Sequence, residues 1–208
     1  ELNPEKNCDY YNMAKQRSSA RVQGTPIARF EARHEGVQHN EGMQLEDQLF
    51  NNLAATMEIT TGAPVILIHN ISVSFGLING TRGTVVAILY VNGGHPTHAE
   101  LRMRMPAALI IDFPAYEGPP FFPSDQPERK TWLPLLPATR RLERKSAITR
   151  TQFPIVLGYA LTIHKAQGMT LDRCVVKLGS KAPQPGTAFT ALSRTRHPDH
   201  LMIDDEFP

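Results

Sequence analysis

Cysteine is scarce in this sequence: Cys8 and Cys174 are the only two in 208 residues. Two cysteines cannot build a disulfide framework or a four-cysteine zinc site, which fits a reducing compartment. Long apolar runs are missing as well. The longest reach about half of a membrane span, and the opening Glu1-Leu2-Asn3-Pro4-Glu5-Lys6 lacks the basic-then-apolar pattern of a secretion signal. There is no excess of charge: 22 Lys+Arg stand against 20 Asp+Glu, a formal net charge of +2. Any case for nucleic acid therefore has to come from local clusters. Gly-x-x-x-x-Gly-Lys-Ser/Thr, a loop that cradles phosphates, occurs nowhere, and no segment repeats. The chain starts without a methionine and reads as part of a longer protein. With 41% hydrophobic and 20% charged residues it is neither disordered nor fibrous. Its length suits one large domain or two small ones. The class expectation is a soluble intracellular protein.

Residues 1–57 are polar, with helical patches. Met43, Leu45, Leu49, Phe50 and Leu53 recur mostly at spacings of three and four and predict one apolar helix face. Thr61-Gly62-Ala63-Pro64 breaks the chain, and 65–68 reads as a short buried strand. Asn79-Gly80 signals a tight turn before a β-branched strand over 84–91. A second turn over 92–96 leads to an alternating strand over 98–105 and a third over 109–113. Short strands at this spacing predict a small antiparallel barrel or meander. The prolines between Pro114 and Pro137 exclude a helix or a central strand and predict an extended surface loop. Arg140, Arg141, Arg144, Lys145 and Arg150 form a basic cluster, readable as a track for a phosphate backbone or as a solvated loop. Beyond it the pattern changes to a strand over 153–157, a helix over 160–167, a strand over 173–178, a helix over 185–194 and a strand over 200–203. Strand–helix alternation predicts an α/β layer with parallel pairing.

Two segments carry residues suited to chemistry. In Thr162-Ile163-His164-Lys165-Ala166-Gln167-Gly168-Met169-Thr170, hydrogen-bond donors crowd a short helical stretch that follows an apolar strand. At the carboxyl end of a strand such a cluster faces the ligand crevice of an open α/β sheet, and its donors suit phosphate oxygens better than a metal. A solvated helix face closed by a glycine cap accounts for the same spacing. In Thr187-Ala188-Phe189-Thr190-Ala191-Leu192-Ser193-Arg194, Phe189 and Leu192 are expected on the buried side, and Arg194 leaves the helix near its C-terminal end. A cation capping the helix dipole explains that placement equally well.

Other candidates are weaker. His95-x-x-His98 and His197-x-x-His200 lie in turns without a third ligand, so no metal site is expected. Phe121, Phe122 and Trp132 suit base stacking or a satellite core under a loop. Cys174 suits a packed apolar thiol. Asp204-Asp205-Glu206 reads as a solvated acidic tail rather than a Mg²⁺-holding set.

Taken together, Tyr159-Ala160-Leu161-Thr162-Ile163-His164-Lys165-Ala166-Gln167-Gly168-Met169-Thr170-Leu171 and Phe189-Thr190-Ala191-Leu192-Ser193-Arg194 closely resemble the fifth and sixth signature motifs of the PIF-type, RecD-like DNA helicases of superfamily one. Gly62 to Leu67 and Gly76 to Val85 are similar to the family's lead into an inserted small domain, and Asn12 to the tail of its fourth motif. Thr190, Thr195 and Lys177 depart from the usual residue types.

The resemblance implies an α/β, RecA-like second motor domain (2A) formed by 1–78 and 150–208. It also implies an inserted SH3-like β-barrel (2B), with the proline-rich loop, over 79–149. The function implied is the C-terminal half of an ATP-dependent 5′-to-3′ DNA helicase. Thr162, His164 and Lys165 would contact single-stranded DNA. Gln167, Gly168 and Arg194 would approach the nucleotide, with Arg194 as the catalytic arginine finger. ATP and Mg²⁺ would be held by a first RecA-like domain upstream, so this chain alone is expected to be inactive. The partners implied are single-stranded DNA and that upstream domain, with no membrane, in the nucleus or mitochondria. Roles in DNA repair and recombination and in mobile elements are equally open. The rival expectation is a non-catalytic or degenerate module that holds single-stranded nucleic acid.

Overall fold

Asn12, Gln16 and Ala20 recur every fourth residue, so in a helix they share one side. Among the described side chains of α1 (Pro4–Gln23) they are the buried ones. The computed structural model describes residues 4–91, 104–123, 126–142, 145–178 and 186–204. His95, His98, Arg144 and nearly all of the strand expected over 98–105 fall outside them. The chain divides into two units, one over 9–160 and one comprising 1–8 with 161–208. Among the described residues no helix is long and apolar enough to cross a membrane.

In the larger unit, α1 is attached by polar bonds rather than by a greasy face. Gln16 Nε2 donates to Glu58 O at 3.0 Å, and Arg17 forks onto the Glu58 carboxylate, the closest contact being 2.9 Å. Glu58 belongs to β3 (Thr56–Ile59), which pairs antiparallel with β1 (Ala28–Glu31). The register sets Phe30 against Met57 and Ala28 against Ile59, so alternate residues of both strands enter the core. A five-stranded antiparallel sheet follows, in the order β10-β4-β5-β6-β7, from β4 (Pro64–Leu67), β5 (Arg82–Leu89), β6 (Ala108–Asp112), β7 (Trp132–Leu135) and β10 (Ile155–Leu157). Val65, Leu67, Val85, Leu109, Ile111 and Ile155 supply its core face, and Phe30 meets Phe153 edge-to-face at 5.7 Å. Gly83 is buried where β5 runs antiparallel beside the end of β6: a Cβ there would lie 2.6 Å from Ile111 Cγ2 and 2.8 Å from Asp112 O. Only glycine permits that approach.

The expected meander is present, as β4 to β7 in sequence order. Among the described residues it is an open sheet with β10 and β7 at its edges. The proline-rich segment is not loop throughout, because β7 lies within it, Pro134 pairing with Ile110. Proline is tolerated there because β7 is an edge strand with one unpaired side. The single helix face expected from Met43 to Leu53 is instead a short α2 (His39–Gln44) followed by a 3-10 turn over Asp47–Phe50. Phe50 and Leu53 are buried, whereas Leu49 is 44% exposed.

The basic cluster is not a solvated loop. Its described residues lie on β8 (Ala138–Leu142) and β9 (Lys145–Gln152), which form a three-stranded sheet with β2 (Arg33–Glu35) in the order β2-β9-β8. Arg150 is fully buried, and all five of its N–H donors are used. Nε donates to His34 Nε2 at 2.9 Å, Nη1 to Asp47 Oδ1 and Leu53 O, and Nη2 to Gly42 O and Leu45 O. The guanidinium carbon also lies 4.4 Å from the Phe50 ring centroid. Arg140, opposite Arg150, is half-buried and bonds His69 Nδ1 at 3.2 Å, so only Arg141 remains an exposed cation among the described side chains of the cluster.

His34 must be neutral to accept from Arg150. Burial, with the charges of Arg150 and His39, lowers its pKa from the ordinary 6.5. A folded pKa below the unfolded one means that stability is full above about pH 6.5 and is lost as pH falls, because the unfolded chain takes up the proton first. Urea midpoints measured from pH 7.5 to 5 should fall in the wild type and fall less in His34→Gln. Arg150→Ala takes the charged donor from Asp47, which keeps only the Ala55 N–H, and from the carbonyls of Gly42, Leu45 and Leu53, of which Gly42 O keeps the Leu45 N–H; it should lower the unfolding free energy by about 3–5 kcal/mol at pH 7.5.

Candidate functional site

β10 runs into Gly158, whose N–H donates to Pro64 O at 2.8 Å, and the chain leaves the larger unit after Ala160. The helix expected over 160–167 is a run of turns. Ala166 N donates to Thr162 O and Ile163 O at 3.1 and 3.2 Å, Gln167 N to His164 O at 3.3 Å, and Met169 N to Ala166 O at 3.1 Å. Two features shorten it. Thr162-Ile163 are both β-branched, which disfavours a helical start, and Gly168 adopts φ +79° and ends the turn. One turn without further helix cannot offset the nucleation cost. Ala166 is buried in the turn; His164, Lys165, Gln167 and Gly168 are exposed and Thr162 is half-buried. The sequence-derived DNA-contact residues Thr162, His164 and Lys165 thus share one turn, with Gln167 and Gly168 next in the chain.

Within the smaller unit, β11 (Cys174–Val176) and β12 (Leu201–Ile203) pair in parallel, as strand–helix alternation predicts. A parallel bridge between Leu171 and Thr195 precedes the ladder. Cys174 is half-buried and burial raises its thiol pKa, consistent with packing. Between the strands, α3 (Thr187–Leu192) follows Gly186. Of its residues only Ala191 is buried; Phe189, expected as an anchor, is 75% exposed and Leu192 is half-buried. The error is one of helical phase, since Phe189 and Ala191 lie on opposite sides of a helix with 3.6 residues per turn.

Arg194 folds back on its own unit. Its Nε donates to Thr190 O at 2.6 Å, Nη2 to Ser193 Oγ at 2.8 Å and Nη1 to Met169 O at 3.2 Å, while its own carbonyl accepts from Leu171 N at 2.8 Å. Side chain and main chain together clamp residues 169–171, immediately after Gln167-Gly168. The two segments singled out in the sequence are therefore adjacent, joined through Met169. Three of five guanidinium donors are used; one N–H on each terminal nitrogen has no acceptor among the described residues.

The weaker candidates divide. The His197 and His200 rings are 5.8 Å apart, and His197 Nδ1 accepts from Asp199 N at 3.3 Å. Among the described residues no three His, Cys, Asp or Glu side chains converge into a metal set. Phe121, Phe122 and Trp132 do stack, edge-to-face at 5.4 and 6.4 Å, with Arg129 over Trp132 at 5.2 Å. A cavity of about 230 Å³ adjoins them, lined by Phe75, Phe113, Tyr116 and Phe121 among others.

A Cβ at Gly168 meets nothing within 4 Å, so replacement there tests the backbone alone. Gly168→Ala should lower the unfolding free energy by about 1 kcal/mol, the cost of a positive φ for a side chain, in urea denaturation followed by circular dichroism.

A family model for the DNA helicase Pif1 2B domain matches residues 50–88, from the 3-10 turn before β3 to β5. The ATP-dependent DNA helicase PIF1 of Danio rerio is 32% identical over 152 residues, which cover 73% of this chain and 20% of that protein. The crystal structure of Pif1 helicase from Candida albicans superposes with a TM-score of 0.67 at 19% identity, over 100% of this chain and 44% of that one. Pif1 helicase from Bacteroides in complex with ADP-AlF3 and ssDNA gives a TM-score of 0.61 at 17% identity, over 97% of this chain and 40% of that one. These structures share the mixed α/β fold of this chain. Motifs, sequence relatives and fold agree: the chain belongs to the PIF-type DNA helicases, and it spans 20% of the length of the zebrafish relative it matches.

Proposed function

We propose that this chain is the C-terminal motor segment of an ATP-dependent 5′-to-3′ DNA helicase. Arg194 supplies the arginine finger, Gln167 and Gly168 approach the same triphosphate, and Thr162, His164 and Lys165 hold single-stranded DNA. The observation that carries it is the Arg194 Nη1 bond to Met169 O at 3.2 Å, which ties the finger to the end of the turn bearing the DNA-contact residues. A guanidinium that moves toward a γ-phosphate must release that carbonyl, so nucleotide and DNA contacts are coupled through the three residues of backbone between Lys165 and Met169. The two donors left over suit the forked geometry of phosphate oxygens. The Bacteroides relative in complex with ADP-AlF3 and ssDNA supports both ligands by analogy.

The described residues offer no Mg²⁺ set, so no step is routed through the ion in this chain. ATP and Mg²⁺ belong to a first RecA-like domain carrying the phosphate loop, with closure of the shared cleft stepping the pair along DNA. The division proposed is 1–78 with 150–208 as domain 2A and 79–149 as an SH3-like 2B insert. The meander from β4 to β7 supports the β insert, and the family model that starts at residue 50 favours an earlier boundary. A binding module without ATP chemistry is the second reading, favoured by one observation: Arg194 rests on its own chain.

Arg194 decides between them. In the full-length protein, joined to a domain with an intact phosphate loop, Arg194→Ala should cut steady-state ATPase by on the order of 10³-fold or more while nucleotide and DNA binding persist. Arg194→Lys, which keeps charge but not the fork, should be severely impaired too. Turnover of Arg194→Ala within a few-fold of wild type would leave the residue a helix-end cation.

Lys165→Ala should weaken single-strand binding without regard to base sequence. The slope of log affinity against log salt should fall by about one phosphate contact. An unchanged slope, read by fluorescence anisotropy of a labelled oligothymidine, returns Lys165 to the solvated surface.

A further inference from the structure

We infer that Phe121, Phe122 and Trp132, with Arg129 across them, form a site that stacks a nucleobase of single-stranded DNA beside the cavity next to Phe121. The site lies wholly within 9–160 and is separate from the contact proposed at 162–165. Two uses suit these rings by sequence, base stacking or a satellite core under a loop. A satellite core would bury them. Instead Phe121 is 62% exposed and Phe75, on the 3-10 turn Val73–Phe75, is 40% exposed, while Tyr116, Phe122 and Trp132 are half-buried. The rings are mounted on held backbone. Trp132 opens β7 opposite Asp112, whose carboxylate accepts from Thr131 Oγ1 at 2.6 Å. Glu117 N donates to Phe75 O at 3.2 Å, and Tyr116 Oη donates to Pro119 O at 2.8 Å. Pro119, Pro120 and Pro123 flank Phe121 and Phe122 and restrict the backbone that carries them. The platform therefore exists before a ligand arrives, which lowers the ordering cost of binding.

Size, lining and charge select the occupant. The cavity of about 230 Å³ is smaller than the ~300–1,000 Å³ of ordinary small-molecule sites and has room for one ring system. Its lining is apolar apart from Ser72 and the Tyr116 hydroxyl, which is spent on Pro119, so it suits the face of a ring and not a phosphate. The cations lie at the other end of the ring cluster. Arg129 Cζ is 5.2 Å from the Trp132 centroid and 6.0 Å from that of Phe122. Its Nε has no hydrogen-bond partner, the Glu128 carboxylate standing 3.9 Å away, and Lys130 beside it is exposed. Aromatic faces next to cations free of hydrogen bonds are the combination with which sequence-tolerant sites hold a single strand, bases on the rings and phosphates on the charges. A duplex keeps its bases in its own stack and has none to offer such a site.

Trp132 is the only tryptophan in the 208-residue chain, so its fluorescence reports on this site alone. Oligothymidine should quench it. An abasic oligomer of equal length, which has phosphates but no bases, and a blunt-ended hairpin duplex should not. Phe121→Ala should bind labelled oligothymidine about tenfold more weakly in anisotropy, the scale of one stacked base, and should lose most of the quench. Phe121→Tyr keeps a ring and should retain both. Phe121 is largely exposed, so these variants leave the core untouched. Lys165→Ala tests the other contact: it should lower affinity and leave the quench at saturation unchanged. If Lys165→Ala is silent while oligothymidine still quenches, the reading of 162–165 fails and the ring site stands. No quench at any oligothymidine concentration, equal quench by the abasic oligomer or the duplex, or wild-type affinity of Phe121→Ala would overturn the ring site and leave 162–165 to its own test. Quenching by a proline-rich peptide and not by oligothymidine would overturn it too, and assign the rings to protein recognition.

Discussion

A guanidinium taken entirely out of water tolerates no unpaired donor. Arg150 meets that demand by collecting groups from five places in the chain: His34 on β2, Gly42 in α2, Leu45 just after it, Asp47 in the 3-10 turn, and Leu53. None of these segments carries much regular structure of its own. α2 and the turn are too short to persist alone, and β2 has three residues. The buried cation organises them because each carbonyl it binds must come to it. Such a site is weak evidence of net stability, since burial of the charge opposes what its bonds contribute. It is strong evidence of specificity, because partial occupancy of the network costs more than either extreme.

The same logic recurs at lower charge along α1. Asn12 and Gln16 bond backbone groups, and Arg17 bonds a carboxylate, so a helix with little apolar surface is nonetheless fixed on β3 and on Ala160. Side chain–backbone bonds hold position more narrowly than apolar contact, which is non-directional.

Among the described residues of the smaller unit, the two motif segments are held together by backbone bonds and the Arg194 guanidinium. Leu171 bonds Arg194 O, a bridge joins Leu171 and Thr195, and the β11–β12 ladder continues it. Val175, Phe189 and Met202 remain largely exposed. An arginine resting on neighbouring carbonyls can leave them for a phosphate at modest cost, because it exchanges one set of acceptors for another.

Much was legible in the sequence because it depends on neighbours in the chain. Alternation and β-branching located β4, β5, β6, β10, β11 and β12, Asn79-Gly80 marked its turn, and the strand–helix rhythm of the last third foretold parallel pairing. The spacing of Thr162 to Gly168 and of Phe189 to Arg194 disclosed the two motif segments. What the sequence misjudged depended on partners far away. Arg150 looked like its basic neighbours, since nothing near it announces Asp47 or His34. Phe189 was misplaced because six residues of helix do not fix a phase by pattern alone. The turn at 162–168 is the exception: it looked helical although what shortens it, β-branched Thr162-Ile163 and Gly168, stands in the local sequence. The Asn12–Gln16–Ala20 spacing was visible, but a polar stripe reads as solvated until the backbone groups it binds are known. Local periodicity is written in a few adjacent side chains. Satisfaction of a buried donor is settled only when segments a hundred residues apart are brought within about 3 Å of each other.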